Sequence, residues 1–251
     1  MADHQRIPTL SNSLETLLRY EVEVNAIVDI GVLNGTPPLM DVFEHIKHYL
    51  FEPFEFHFEA IRRNYQNINY ELYNIALSDS DDNAYLLGRS VDGGDKVTHS
   101  HVSDKPVSKE EDPSILVCKE IRKAKLDSVL DEVKVDYPFL LKIDVDGHEI
   151  PILKGAVKSL EKASIVVIEA PLQKTPMPQF LERFLHLLKQ GFVLIDMVDF
   201  AYYGGILWQV DLVFIRQEIV DNIEQLKPFE SKSFQFQQEL WYPFSPNYTK
   251  K

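Results

Sequence analysis

At 251 residues, with 45% hydrophobic side chains, the chain is long enough for one large domain with a sizeable core. A net charge of −13 argues against a partner such as nucleic acid, whose phosphate backbone is held by Lys and Arg, but leaves room for a nucleotide-sized ligand in a local pocket. The single cysteine, Cys118, excludes an intrachain disulfide. The opening Met-Ala-Asp-His-Gln-Arg lacks the apolar stretch of a secretory leader, and no apolar run reaches the roughly 18 to 20 residues of a membrane span, so the expectation is a cytoplasmic protein.

Residues 1–24 read as a lead-in with one short helix, in which Leu14, Leu17 and Leu18 share a face and Ser11 or Ser13 suits the cap. Ala26–Ile30 is a buried strand closed by Gly31, and Pro37 or Pro38 suits the first turn of a helix running to about Lys47. A second strand, His48–Glu52, stops at Pro53, and helical spacing returns over Phe54–Asn64. Ile68–Leu77 reads as a third strand. Residues 79–113, with Gly93-Gly94 and many Asp, Ser and Lys, break the rhythm and predict hairpins or a mobile loop. A strand at Ser114–Glu120 and a short helix at Leu126–Leu130 follow. Phe139–Ile143 is a core strand, Ile150–Leu160 one helix, and Ser164–Glu169 another buried strand. The Gln179–Lys189 helix is stopped by Gly191. Phe192–Met197 and Trp208–Ile215 are late strands, and an aromatic, proline-rich tail after Lys227 is expected to cover the domain or a partner. Alternating strands and helices from residue 25 onward predict a parallel sheet with helices on both faces. The whole of 1–251 reads as one domain, with a core of about 25–216 and a tail of 217–251.

Four stretches carry candidate chemistry, each beside a plainer account. After the first strand comes Asp29-Ile30-Gly31-Val32-Leu33-Asn34-Gly35-Thr36. Its glycines permit a tight turn, and the following helix N-terminus offers free N–H groups to a carboxylate; a turn with no ligand fits the same residues. The glycine spacing is not the G-x-G-x-x-G of dinucleotide binding, and the preceding acid suits a ligand with an ammonium and a carboxylate. Glu52, about 20 residues on, stands where an acid accepts from ribose hydroxyls, although a Glu before Pro is also a common surface residue. Backbone near Ala76, with Asp79, could face an adenine ring or form a polar turn. Finally, Lys142-Ile143-Asp144-Val145-Asp146-Gly147-His148-Glu149 ends a strand in acid, glycine and imidazole. Asp144 and His148 suit proton removal from a hydroxyl. Asp144, Asp146, His148 and Glu169 would instead suit a hard divalent ion such as magnesium, or His148 and Glu149 simply begin a helix. Lys142 shares a strand face with Asp144, which predicts an internal ion pair. His99 and His101 read as solvent-exposed.

These residues are recognisable together. Val28-Asp29-Ile30-Gly31 with Gly35-Thr36, Phe51-Glu52-Pro53, Asn74–Asp79, Leu126-Asp127 and, above all, Leu141–Glu149 with Leu153-Lys154-Gly155-Ala156 resemble the FkbM-type family of S-adenosylmethionine-dependent methyltransferases. The similarity spans about Ile27 to Ile215. Two departures stand out: Val32-Leu33 before Asn34, where the family has Ala-Asn after the first glycine, and Asp146, where it has Glu. The resemblance implies a three-layer, Rossmann-like fold with a seven-stranded, mostly parallel sheet whose last strand is antiparallel. It implies methyl transfer from S-adenosylmethionine, leaving S-adenosylhomocysteine, to a hydroxyl of a small-molecule or glycan acceptor. Cofactor binding would fall to Asp29, Gly31, Asn34, Gly35, Thr36, Glu52, Ala76, Asp79 and Asp144. Catalysis would fall to His148 as base, Asp144 as its orienter or alternative, and Glu169 as a substrate contact. A divalent metal is not expected; if present, Asp144, Asp146 and Glu169 would hold it. Segments 79–113 and 198–206, with Tyr202 and Tyr203, would cover the acceptor. The rival readings are an NAD-dependent oxidoreductase, which the absent G-x-G-x-x-G opposes, and a non-catalytic Rossmann-like binding module.

Overall fold

The computed structural model describes residues 7–90, 93–95, 97, 99–172 and 179–224. In chain order these give α1 (Leu10–Arg19), β1 (Ala26–Ile30), α2 (Pro37–Val42), β2 (Lys47–Phe51), a 3-10 turn at Glu55–His57, α3 (Phe58–Asn64), β3 (Tyr70–Tyr73) and β4 (Ala76–Leu77). Next come β5 (Asp82–Arg89), β6 (His99–Ser103), β7 (Ile115–Ala124), α4 (Leu126–Val133), β8 (Phe139–Ile143), α5 (Glu149–Lys154) and α6 (Val157–Lys162). The described chain ends with β9 (Ala163–Pro171), α7 (Gln179–Lys189), β10 (Phe192–Tyr203), β11 (Ile206–Arg216) and α8 (Gln217–Val220). The tail after Lys227 lies outside the described residues.

Seven strands form the main sheet in the order β10-β11-β9-β8-β1-β2-β3. The neighbours from β9 to β3 are parallel, and β11 runs antiparallel to both β9 and β10. The expected three-layer, Rossmann-like architecture is therefore present. Strand alternation divides its apolar residues between two cores. Ile27, Leu140, Ile165, Val213 and Ile215 meet α1 and α2 through Leu14, Leu17 and Leu39. Val28, Ile30, Leu141, Ile143, Val166 and Phe214 meet the opposite helices through Val129, Ile152, Leu160 and Leu187.

A second, four-stranded sheet, in the order β4-β7-β5-β6, is inserted before α4. Within the irregular segment 79–113, β5 pairs antiparallel with β6 on one side and with β7 on the other, around a small core of Ala84, Leu86 and Ile121. The single third strand expected over Ile68–Leu77 is really two strands in different sheets. Asn74 holds the break by donating to the Pro53 carbonyl at 2.9 Å. The single helix expected over Ile150–Leu160 also divides, at Gly155. A Cβ there would lie 1.9 Å from the Ser78 carbonyl oxygen, so this close crossing of two backbones admits glycine alone. Asp127 then starts α6 by accepting from the Lys158 and Ser159 N–H groups at 3.0 and 2.8 Å. Thr9, not Ser11 or Ser13, caps α1, and Ser13 is buried within it. Residues 198–206, expected as a covering segment, instead prolong β10 and β11 into a long hairpin with Gly204 and Gly205 at its tip.

Candidate active site

The carboxyl ends of the central strands carry the charge, as an open α/β sheet leads one to expect. On the face that holds the α1 and α2 core, apolar Ile27 and Leu140 give way two residues later to Asp29 and Lys142, which are register partners. Lys142 is buried and its Nζ reaches Asp144 Oδ2 at 2.7 Å, forming the ion pair that strand alternation predicts. Burial alone would lower the Lys142 pKa, but Asp144, Asp29 and Asp211 together outweigh it and hold the ammonium charged. Asp29 is fully buried; its Oδ2 accepts from the Thr36 hydroxyl at 2.7 Å, while its Oδ1 has no hydrogen-bond partner among the described residues. Desolvation raises its pKa, against the pull of Lys142 and Thr36.

Glu52 is also buried, and its carboxylate accepts from the N–H groups of Leu33 at 2.9 Å and Phe54 at 2.8 Å. Desolvation pushes its pKa up to about 7. The loop after β8 turns through two left-handed residues, Asp146 at φ +53° and Gly147 at φ +105°. Asp is among the side chains that tolerate this region, which suits the shorter acid at position 146. Gly31, at φ +82°, lets the end of β1 cross that loop, since a Cβ there would lie 1.8 Å from the Asp144 carbonyl oxygen. Glu149 anchors the loop from within: it accepts from the Gly147 N–H at 3.1 Å and pairs with Arg183 of α7, both side chains being almost wholly buried.

Two cavities open along this edge. The first is bounded by Gly31, Glu52, Ala76, Asp144 and the apolar faces of Phe51 and Leu77. The second is bounded by Glu169, Pro171, Gln179, Trp208 and Gln209. Both are lined by Ser100, His101 and Val102 of β6 and by Asp146 and His148, so these five residues stand where the two cavities border each other.

The structure thus brings Gly31, Glu52, Ala76, Asp144 and His148 to one cavity, and Glu169 with His148 to the other. Asp29, Asn34, Gly35, Thr36 and Asp79 line neither. Asn34 Oδ1 approaches His57 Nδ1 at 3.3 Å, and a Cβ on Gly35 would press on Met40 and Tyr65. Asp79 lies behind His148, near the Ser78 hydroxyl. Asp144 and His148 are not hydrogen-bonded to each other, contrary to the expected orienting contact. Asp144 is held by Lys142, and His148 Nε2 meets Ser78 Oγ at 2.9 Å. Burial lowers the His148 pKa, favouring neutral imidazole.

Glu169 faces Asp211 across the β9–β11 pairing. Burial, reinforced by Asp144, Glu149, Asp146 and Asp211, pushes the Glu169 carboxyl up to about 8; burial likewise raises Asp211 to about 6. Among the described residues no three His, Cys, Asp or Glu side chains converge as a metal-binding set, so Asp144, Asp146 and Glu169 do not fit the conditional metal site. Tyr202 and Tyr203 are exposed on the hairpin, with Tyr203 against Trp208 at 5.5 Å.

Sequence reasoning missed Ser78, Arg183, Asp211 and His101. Arg183 left a readable trace: it follows Phe180 by three residues and precedes Leu187 by four, on the inward stripe of α7. Asp211 and His101 left none, because each reaches the site through pairing between distant strands. His101 is also less exposed than expected.

No curated protein matches the sequence. Solved structures resemble it distantly. The fibrillarin pre-rRNA processing protein of Methanococcus jannaschii is 14% identical, covering 77% of this chain and 67% of that one, with a TM-score of 0.45. The precorrin-6y C5,15-methyltransferase of Geobacter metallireducens is 11% identical, covering 86% and 93%, at 0.44. The Aeropyrum pernix fibrillarin, solved with natively bound S-adenosyl-L-methionine, is 11% identical, covering 80% and 74%, at 0.42. The sequence model of the methyltransferase FkbM domain, by contrast, matches residues 29–194, about two thirds of the chain, and the protein belongs to that family of methyltransferases.

Proposed function

We propose that the protein transfers the methyl group of S-adenosylmethionine to a hydroxyl oxygen of a sugar, glycan or natural product. The observation that carries this reading is that two unlike cavities lie side by side at one strand edge, with the His148 imidazole lining both. We read residues 1–251 as one domain serving this reaction. The donor cavity fits an adenosyl nucleoside: Glu52 keeps lone pairs beyond its two N–H bonds for ribose hydroxyls, and Phe51, Ala76 and Leu77 offer an apolar slot for the base. Asp144, which lines the donor cavity and is paired with Lys142, suits the ammonium of the donor, and the buried Asp29, whose Oδ1 has no hydrogen-bond partner among the described residues, would support that end from behind. Gly31, Asn34, Gly35, Thr36 and Asp79 would shape that end.

When bound, S-adenosylmethionine supplies a sulfonium methyl already activated toward an oxygen nucleophile. The protein's share is alignment and proton removal, effects that reach about 7–11 kcal/mol and about 10²–10⁴-fold in favourable cases. His148, kept largely neutral by burial and tethered to Ser78, assists deprotonation at the junction, and Asp144 with Lys142 fixes the local field. Glu169 contacts the acceptor, with Trp208 offering a ring face to a sugar.

The test is a methyl-turnover screen over sugars, glycans and phenols, with and without chelator. Turnover that survives chelator is expected; its complete loss would overturn the metal-free reading. Replacing His148→Ala should abolish turnover while S-adenosylhomocysteine still raises the melting temperature. A protein stabilised by NAD and indifferent to S-adenosylhomocysteine would refute the methyl-donor assignment altogether.

A further inference from the structure

We propose that His101, on edge strand β6 of the inserted sheet, is a second catalytic imidazole that receives the acceptor proton, and that His148 assists this deprotonation by holding the acceptor oxygen in line. The proposal rests on the methyl-transfer reading. A methyl passing from one cavity to the other must cross where they meet, and among the described residues five line both. Val102 has no polar side chain and Ser100 is a poor base, which leaves Asp146, His101 and His148. His148 already has Ser78 on its Nε2. The His101 ring makes no hydrogen bond among the described residues, and its nitrogens are not sealed from the cavity.

The surroundings agree with a neutral base. His101 pairs in register with Leu87 of β5; the charged groups acting on it are Arg89 of β5 and Asp112 before β7, and Glu52, His99, Asp144, Asp146, His148 and Glu169 line the cavities it borders. Burial, and then Arg89, lower its pKa against the opposing pull of Asp112. In the step itself the acceptor O–H bond breaks and its proton passes to a ring nitrogen of His101. The oxygen bonds to the methyl carbon, and the S–C bond breaks with its electron pair left on sulfur as a thioether. The imidazolium then loses its proton to solvent through the open cavity.

The first measurement needs no acceptor. Histidine ring signals of the isotope-labelled protein are followed by NMR against pH with and without S-adenosylhomocysteine, using His101→Gln for assignment. The expected result is a His101 pKa below 6.5 and a clear signal change on adding the thioether. A His101 signal that ignores bound thioether, or titrates about a unit or more above the ordinary value, overturns the proposal. Absence of any thermal shift by S-adenosylhomocysteine in the wild type would instead defeat the underlying methyl-donor reading. With an acceptor from the turnover screen, His101→Gln should lower kcat by about 10²–10⁴-fold with KM for S-adenosylmethionine within about twofold. It should also erase the acid limb of the kcat profile, where rate rises as the imidazole loses its proton. Wild-type kcat with that limb intact would reduce His101 to a wall residue.

Discussion

Arg183 and Glu149 show what a single charged pair contributes behind the loop that follows β8. Both are almost wholly out of water, and Glu149 also holds the Gly147 N–H, so losing one partner strands the other's charge. Arg183→Met should cost about 3–5 kcal/mol in chemical denaturation, and the companion Glu149→Gln should return part of it by removing the stranded carboxylate. The carboxyls nearer the cavities make a pH prediction. Glu52, Asp211 and Glu169 have folded pKa values of about 7, 6 and 8, all above their ordinary values of 4.5, 3.8 and 4.5. Each is protonated in both states at low pH. As pH rises, the unfolded chain ionises first, so their contribution to stability is whole below about pH 4 and declines until about pH 8. Glu169→Gln should therefore match wild type in urea denaturation near pH 4 and exceed it near pH 8.5. A variant less stable than wild type at the higher pH would show that the Glu169 charge is compensated in the fold.

At the level of elements, the crossing of Gly155 with the Ser78 carbonyl ties α5 to β4 and thereby sets Ser78 beneath His148. Gly155→Ala must push one backbone aside, at an expected cost of about 1–3 kcal/mol, read as a lowered melting temperature. Turnover should fall further than stability alone accounts for, because the His148 tether moves with Ser78. Elements fixed by local patterns were legible beforehand. The strand Ala26–Ile30 between polar turns, the strand Phe139–Ile143 ahead of Asp144, and the helix Gln179–Lys189 ahead of Gly191 all occur with the expected bounds. Lys142 was legible for the same reason, since alternation alone puts it on the Asp144 face. Elements fixed by distant partners were not. The division of Ile68–Leu77 depends on which sheet each half joins, and the division at Gly155 on a carbonyl 77 residues earlier in the chain. Of the inserted sheet, β7 was legible as the strand expected at Ser114–Glu120, while β5 and β6 showed only as disturbed rhythm that predicted hairpins or a mobile loop, because their pairing spans long gaps. The site followed the same divide: acids at strand ends could be named, but His101, Asp211 and the Ser78–His148 contact arise only from pairing.

For the molecule as a whole, the surplus of 39 acidic over 26 basic side chains bears on partners. No RNA retention is expected in a gel-shift series even at low salt, where backbone attraction is strongest. Tight, salt-sensitive RNA binding would redirect the search for the acceptor. S-adenosylhomocysteine at about 100 times its Kd should add about 2.7 kcal/mol of stability by mass action, measurable as a concentration-dependent melting shift. The antiparallel course of β11 has a further consequence. Because it runs backward beside β9, its opening residues, Trp208 to Asp211, arrive at the carboxyl end of the sheet next to Glu169 and Pro171. The described walls of the proposed donor cavity are encoded before residue 153, and those particular to the proposed acceptor cavity mostly after residue 168. On that reading a genetic crossover between those points would graft a new substrate preference onto an inherited cofactor site, with the β6 edge, Asp146 and His148 left to be reconciled with both parents.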